Sequence, residues 1–155
     1  MATMVGLHGD LKSILYQLIE LDYDAVDAYR AAIERLKDVE TRSVLMRFMD
    51  DHQRHVAEVS AHLRAMGGEA PRGPGVKRAL TRGKVVIAAL LGDRAILKAM
   101  KTNEDDMNTA YERASKRHDA PLELRALLAR NLTDERRHRQ WIEQRLAPSR
   151  ESAHP

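Results

Sequence analysis

Four stretches of this chain carry apolar residues at alternating steps of four and three, and each is interrupted near its middle by a carboxylate or an imidazole. In the first stretch Leu11, Leu15, Leu18, Ala25, Tyr29, Ala32 and Leu36 make the stripe, and Asp22 stands in its gap. The second reads Leu45, Phe48, His52, His55, Val59, His62, Met66. The third reads Leu97, Met100, Glu104, Met107, Tyr111, Ala114, and the fourth Leu124, Leu128, Asn131, Glu135, His138, Ile142. This period puts one face of each helix into a shared core. The chain is therefore confined to an all-α, antiparallel four-helix bundle whose core turns polar at mid-height.

Boundary signals agree with that layout. A first helix is expected over about 10–37, and a second from the Asp38–Thr41 region to the Gly67-Gly68 stop. A third opens with Asp93 as N-cap and runs to about Arg117. The fourth follows Asp119-Ala120-Pro121, with proline near the first helical position, and ends near Ala147. Between helices 2 and 3 lie the turn-rich EAPRGPG and the stretch VKRALTRGKVVIAALLG, read as short helix and connector. One long crossover of this kind suits a bundle in which helix 3 starts at the end where helix 1 started, far from where helix 2 stopped.

Good helix formers (Ala, Leu, Arg, Glu, Lys and Met) dominate the 155 residues. One domain is expected over 8–147, with a flexible tail over 148–155. There is no Cys, so thiolate metal sites are excluded. A net charge of +3 does not suggest nucleic acid as a partner. No run of 18 apolar residues is present, so no membrane span is expected. The N-terminus lacks a signal-peptide pattern, and a cytoplasmic location is the expectation.

The two halves repeat. Asp51-His52-Gln53-Arg54-His55 matches Asp134-Glu135-Arg136-Arg137-His138 at its first, fourth and fifth places. Asp22-x-Asp24 before Tyr29 matches Glu104-x-Asp106 before Tyr111. Tyr29 to His55 is 26 steps and Tyr111 to His138 is 27. Two copies of a helical hairpin account for the chain.

The bundle then aims Asp22, His52, His55, Glu104, Glu135 and His138 at one level. Pairs at i, i+3 share a helix face, within about 6 Å. Buried carboxylates without a partner cost several kcal/mol each. No Lys or Arg sits in mid-stripe to neutralise them. A divalent cation would, and carboxylate oxygen with imidazole nitrogen suits Fe, Mn or Zn. The competing interpretation is a carboxyl–imidazole hydrogen-bond network without metal. His62 is read as a core histidine with a hydrogen bond, and Asn131 as a register residue. Tyr29 and Tyr111 are core aromatics whose hydroxyls could reach a ligand.

With these motifs the chain resembles the ferritin-like superfamily, of the rubrerythrin or di-iron carboxylate type, over about residues 8–146. The DERRH stretch is similar to the Asp-Glu-x-Arg-His motif of di-iron carboxylate oxidases and desaturases. GDRAILKAMKTNEDDMNTAYERA is similar to a bacterial branch of the superfamily catalogued as a domain of unknown function. The resemblance implies Glu135 as a bridging ligand, His138 and His55 as terminal imidazoles, and Glu104 and Asp22 as terminal carboxylates. Asp51 and Asp134 would accept from the ligands' ring N–H groups, held in turn by Arg54 and Arg137. Otherwise these Asp–Arg sets are surface i, i+3 ion pairs worth about 0.5 kcal/mol or less.

Two departures stand out. His52 occupies the place of the family's second bridging Glu, and Asp22 is one methylene shorter than Glu. A single imidazole nitrogen binds one metal, so the centre would hold two metals bridged by Glu135 and solvent, one metal, or none. Three carboxylates leave two divalent ions at +1, which a bridging hydroxide could cancel. The expected function is a metal-binding protein with a non-haem Fe, Mn or Zn centre of one or two ions, iron first, with oxygen or peroxide redox chemistry in prospect. The alternative is a metal-free structural or stress-associated bundle acting through its surface, and a weaker third idea is iron storage in a shell. A homodimer, and an anionic partner at the basic 72–84 crossover (Arg72, Lys77, Arg78, Arg82, Lys84), are the remaining partner expectations.

Overall fold

The computed structural model describes residues 3–75, 87 and 89–148. Among the described residues the fold is built on four long helices: α1 (Leu11–Arg35), α2 (Val39–Ala65), α3 (Asp93–Ser115) and α4 (Leu122–Leu146). Among the described residues there is no strand, and no helix is long and apolar enough to cross a membrane.

The helix ends follow from local chemistry. Asp10 caps α1 by accepting from Ser13 N at 2.8 Å, and Asp38 caps α2 by accepting from Thr41 N at 2.8 Å. The Gly67-Gly68 stop is a Schellman turn. Gly68 N donates to Leu63 O at 2.9 Å while Gly67 takes φ of 80°. A Cβ on Gly68 would sit 2.5 Å from Leu63 Cδ1.

α1 packs along α2 and α3 along α4, as two antiparallel hairpins. The segment before α1 lies against the end of α3: Thr3 N donates to Asp106 Oδ1, and Arg113 donates to the carbonyls of Thr3 and Val5. At the opposite end, the α1–α2 turn meets the start of α3, and Arg145 near the end of α4 reaches Asp38. So α1 and α3 run antiparallel, and α2 and α4 do too.

Two expectations are corrected here. First, α3 does not begin where α1 starts; it begins beside the end of α1. The crossover still has to travel the bundle's length, because α2 stops at the other end, where Leu63 and Gly68 share a pocket with Lys12 and Ser13. Second, Asp93 is not the N-cap of α3. Gly92 holds that position, with φ of 85° and no side-chain bond. The Asp93 carboxylate instead accepts from Lys37 N and Asp38 N, both at 2.9 Å, pinning the α1–α2 turn onto α3. The turn's free N–H groups are a stronger claim on that carboxylate than its own helix. The connector reading of 76–86, the basic residues Lys77, Arg78, Arg82 and Lys84, and the tail over 149–155 lie outside the described residues.

The core is divided. One apolar cluster gathers Leu15, Leu18, Val59, Met107, Leu124 and Leu128; the other gathers Ala32, Leu36, Leu45, Met100 and Ile142, with Ile87 of the crossover. Between them lies the polar level. His62 departs from its expected core position: it is half-buried and lines a surface pocket with Glu58, Glu123 and Arg130, while Leu63 takes the buried position.

Asp93→Ala removes two backbone partners from the α1–α2 turn. It is expected to lower unfolding free energy by about 1–3 kcal/mol, measured by urea titration. An unchanged midpoint would show that water replaces both bonds at no cost.

Candidate metal centre

Each helix delivers its polar residues from the middle of its buried stripe. Asp22 comes from α1, His52 and His55 from α2, Glu104 from α3, and Glu135 and His138 from α4, all with 0% exposure. No Lys or Arg is among the buried described residues. Two sets of four side chains each bring ligand atoms within 4.8 Å of one another. One is Asp22, His52, His55 and Glu135; the other is His52, Glu104, Glu135 and His138.

The sets are related by the sequence repeat. In the first, Asp22 Oδ1 lies 2.9 Å from His52 Nδ1 and 3.6 Å from His55 Nδ1. In the second, Glu104 Oε1 lies 3.3 Å from His52 Nε2 and 3.7 Å from His138 Nδ1. Glu135 stands between them. Its Oε1 is 3.0 Å from His55 Nδ1 and its Oε2 is 3.6 Å from His138 Nδ1. Neither contact has hydrogen-bond geometry: both Glu135 oxygens and both of these Nδ1 atoms are buried without a partner.

The surrounding residues cross from one hairpin to the other. Tyr29 of α1 donates to Glu104 of α3, and Tyr111 of α3 donates to Asp22 of α1 at 2.5 Å. His55 Nε2 donates to Asp134 at 3.0 Å, and His138 Nε2 donates to Asp51 at 2.8 Å. Arg54 donates to Asp134, and Arg137 donates to Asp51 at 2.5 Å. Each aspartate also keeps its same-helix Arg contact, Arg54–Asp51 at 3.5 Å and Arg137–Asp134 at 3.2 Å. The surface-pair reading therefore covers only part of what these residues do. Aromatic rings enclose the imidazoles: Phe48 stacks on His138 with centroids 4.2 Å apart, and Tyr29 lies 5.3 Å from His52.

One residue of the layer lies outside the polar stripe that the sequence marks. Asn108, buried one turn after Glu104, donates from Nδ2 to the backbone carbonyls of Glu104 at 2.8 Å and Glu135 at 2.9 Å. It locks α3 to α4 at the level of their carboxylates. Its signal in the sequence was an amide four places after Glu104, where the repeat has Val26. Asn131 is also fully buried and lies beside the Tyr111 hydroxyl.

Without an ion the layer is held together by protons. Burial pulls the His55 pKa down, but Asp134, Asp22 and Glu135 outweigh it and raise it to about 12. Burial is likewise overcome at His138 by Asp51, Glu104 and Glu135, giving about 11. At His52 it is overcome by the Glu135 charge and by Asp22 and Glu104, giving about 9. Burial alone would raise Asp22 and Glu104; their imidazole partners hold both below the ordinary carboxylate range. Burial first, and then the facing carboxylates, push the Tyr29 and Tyr111 hydroxyls well above 10. These groups are donors at every ordinary pH.

A family model described as a domain of unknown function, DUF2383, matches residues 10–117. Among solved structures, the X-ray structure of Dps from Thermosynechococcus elongatus superposes with a TM-score of 0.70 at 12% identity. The match covers 93% of this chain and 97% of that one. At that identity the likeness establishes the fold, which is ferritin-like. No curated protein matches the sequence.

The proton-bound layer sets the pH dependence of the metal-free protein. An imidazole whose folded pKa exceeds its ordinary 6.5 stabilises fully below 6.5 and loses that contribution as pH rises through about 9, 11 and 12. The lowered carboxylates stabilise above their ordinary 3.8 and 4.5 and lose the contribution at more acid pH. The chelated protein should therefore melt highest between about pH 4.5 and 6.5 and progressively lower toward pH 10. Circular dichroism melts across that range check it, and a melting temperature that climbs from pH 6.5 to 9 would contradict it.

Proposed function

The chain belongs to the DUF2383 family, a domain of unknown function; from the ferritin-like fold and the buried layer we propose that it is a metal-binding protein with a non-haem carboxylate–histidine centre. The observation that carries this reading is a set of orphaned atoms. Glu135 Oε1 and Oε2, Glu104 Oε2, His55 Nδ1 and His138 Nδ1 are all buried and all lack a hydrogen-bond partner. Native proteins rarely leave buried polar atoms unsatisfied. Here they face one another, and every one is of a type that binds Fe, Mn or Zn.

Each residue then has a part. Asp22 with His55, and Glu104 with His138, are the terminal ligands of two sites, and Glu135 faces both with its two oxygens. Asp51 and Asp134 hold the Nε2–H of His138 and His55, which turns Nδ1 of each ring inward as the free ligand atom. Tyr29 and Tyr111 anchor the terminal carboxylates from behind. Iron is the first candidate, with manganese and zinc after it. A redox-active ion in this place would supply electron exchange with dioxygen or peroxide. The apolar clusters on either side keep the layer dry, which strengthens its electrostatics.

One observation favours a metal-free structural bundle as the second reading. Asp22 is bonded at both oxygens, and Glu104 at one, by Tyr111, His52 and Tyr29. Asp22 and Glu104 are thereby each paired with an imidazole, which balances their charge without an ion.

Elemental analysis of protein purified without chelator separates the two. The expected result is one to two equivalents of Fe, Mn or Zn per chain, with a melting temperature that drops on chelation and returns when metal is restored. Glu135→Ala should keep the helical circular dichroism and lose the metal. Asp134→Ala should weaken metal affinity about 10–100-fold. Protein that stays metal-free after refolding with excess Fe²⁺, Mn²⁺ and Zn²⁺, with no response to chelator, ends this reading in favour of the second.

A further inference from the structure

We propose that His52 is a bridging ligand, holding one ion on Nδ1 and a second on Nε2. The inference rests on the metal-centre reading above and adds to it the means by which two ions share one imidazole.

His52 differs from the other two histidines of the layer in what its nitrogens face. His55 and His138 each tie Nε2 to an aspartate at the edge of the bundle, Asp134 and Asp51 respectively, and keep only Nδ1 for the interior. His52 has no such outer partner. Its Nδ1 faces Asp22 Oδ1 at 2.9 Å, and its Nε2 faces Glu104 Oε1 at 3.3 Å. Each of those oxygens is in turn the neighbour of a different inward Nδ1, that of His55 at 3.6 Å and that of His138 at 3.7 Å. The ring therefore stands between two carboxylate–imidazole pairs and offers one nitrogen to each. The lone pairs of an imidazole diverge in the ring plane, so the two nitrogens serve two ions rather than chelate one.

The same conclusion follows from which residues the two ligand sets share. Only His52 and Glu135 belong to both. Glu135 presents Oε1 to one set and Oε2 to the other. These two residues occupy the same place in the repeated pentapeptide, the second position of DHQRH and of DERRH. The repeat thus relates two double-ended ligands, one a carboxylate and the other an imidazole.

To hold an ion on each nitrogen His52 gives up its ring N–H proton to solvent and binds as the imidazolate, which a bound cation favours as it does the deprotonation of bound water. Its charge, like that of a bridging hydroxide, would bring three carboxylates and two divalent ions to neutrality.

The test uses full-length protein with ¹⁵N-labelled histidine rings, saturated with ¹¹³Cd²⁺ after chelation. The expected spectrum shows one-bond ¹¹³Cd splitting on both ring nitrogens of His52, each to a different cadmium resonance, and on Nδ1 alone of His55 and His138. The His52 signals are identified by their loss in His52→Gln and, should that chain not fold, by their contact with the Tyr29 ring. Two cadmium ions bound with splitting on one His52 nitrogen or on neither overturns the bridge and leaves the metal centre standing. Saturation at a single ion overturns it in the same way. No uptake of cadmium at all counts against the metal centre itself, and the bridge falls with it.

Discussion

A layer of charge sealed between two apolar cores is the constraint on which this bundle depends. Six carboxyl and imidazole side chains sit at 0% exposure with no Lys or Arg among them. Such a layer is tolerable only if its own members neutralise one another or an ion neutralises them all. The surrounding contacts run crosswise for that reason. Each hairpin contributes the tyrosine that anchors the other's carboxylate, and the aspartate that orients the other's imidazole. Neither hairpin can satisfy its buried groups alone, so specificity of docking and preparation of the site are the same set of bonds.

Preorganisation follows from the same pattern. His55 and His138 are fixed at their far nitrogens by aspartates that arginines hold in place. The near nitrogens are thus presented inward without choice of tautomer. Phe48 and Tyr111 hold the ring planes. Asn108 ties the backbone of Glu104 to that of Glu135 at the height of their side chains. Side chains set on helices and braced from behind in this way are held in one geometry.

Much of this was legible before any coordinates. The stripe of steps three and four located the helices, and its four polar gaps pointed to one level, because offsets from the matched tyrosines that agree to within one residue leave little freedom of register. The direction of the support was not legible. A repeat says that Asp51 and Asp134 are equivalent, but not that each serves the histidine of the other hairpin; that depends on which helix faces lie opposite, a tertiary matter. Asp93 serves the α1–α2 turn rather than its own helix because a helix start and a neighbouring turn both offer free N–H groups, and local sequence does not weigh them. The end at which α3 starts follows from the pairing of α1 with α2: α2 stops where α1 began, so a crossover that spans the bundle delivers α3 to the end of α1. His62 continued the stripe one step too far, where α2 approaches its end and Leu63 turns inward instead.

The exchange of one glutamate for His52 breaks the repeat at its most consequential place, and charge counting shows what that does. With no ion, three imidazolium groups match three carboxylates. With one divalent ion, the layer is neutral if a single imidazolium remains. With two, it is neutral if His52 is an imidazolate. Each ion thus replaces two protons, and the buried layer need never carry net charge. A glutamate at position 52 would remove that property: four carboxylates and two imidazoles stay neutral without metal only by protonating carboxylates that buried ion pairing otherwise keeps ionised. By this count a metal-free layer with His52 is neutral without a protonated carboxylate, whereas one with four carboxylates and two imidazoles is not.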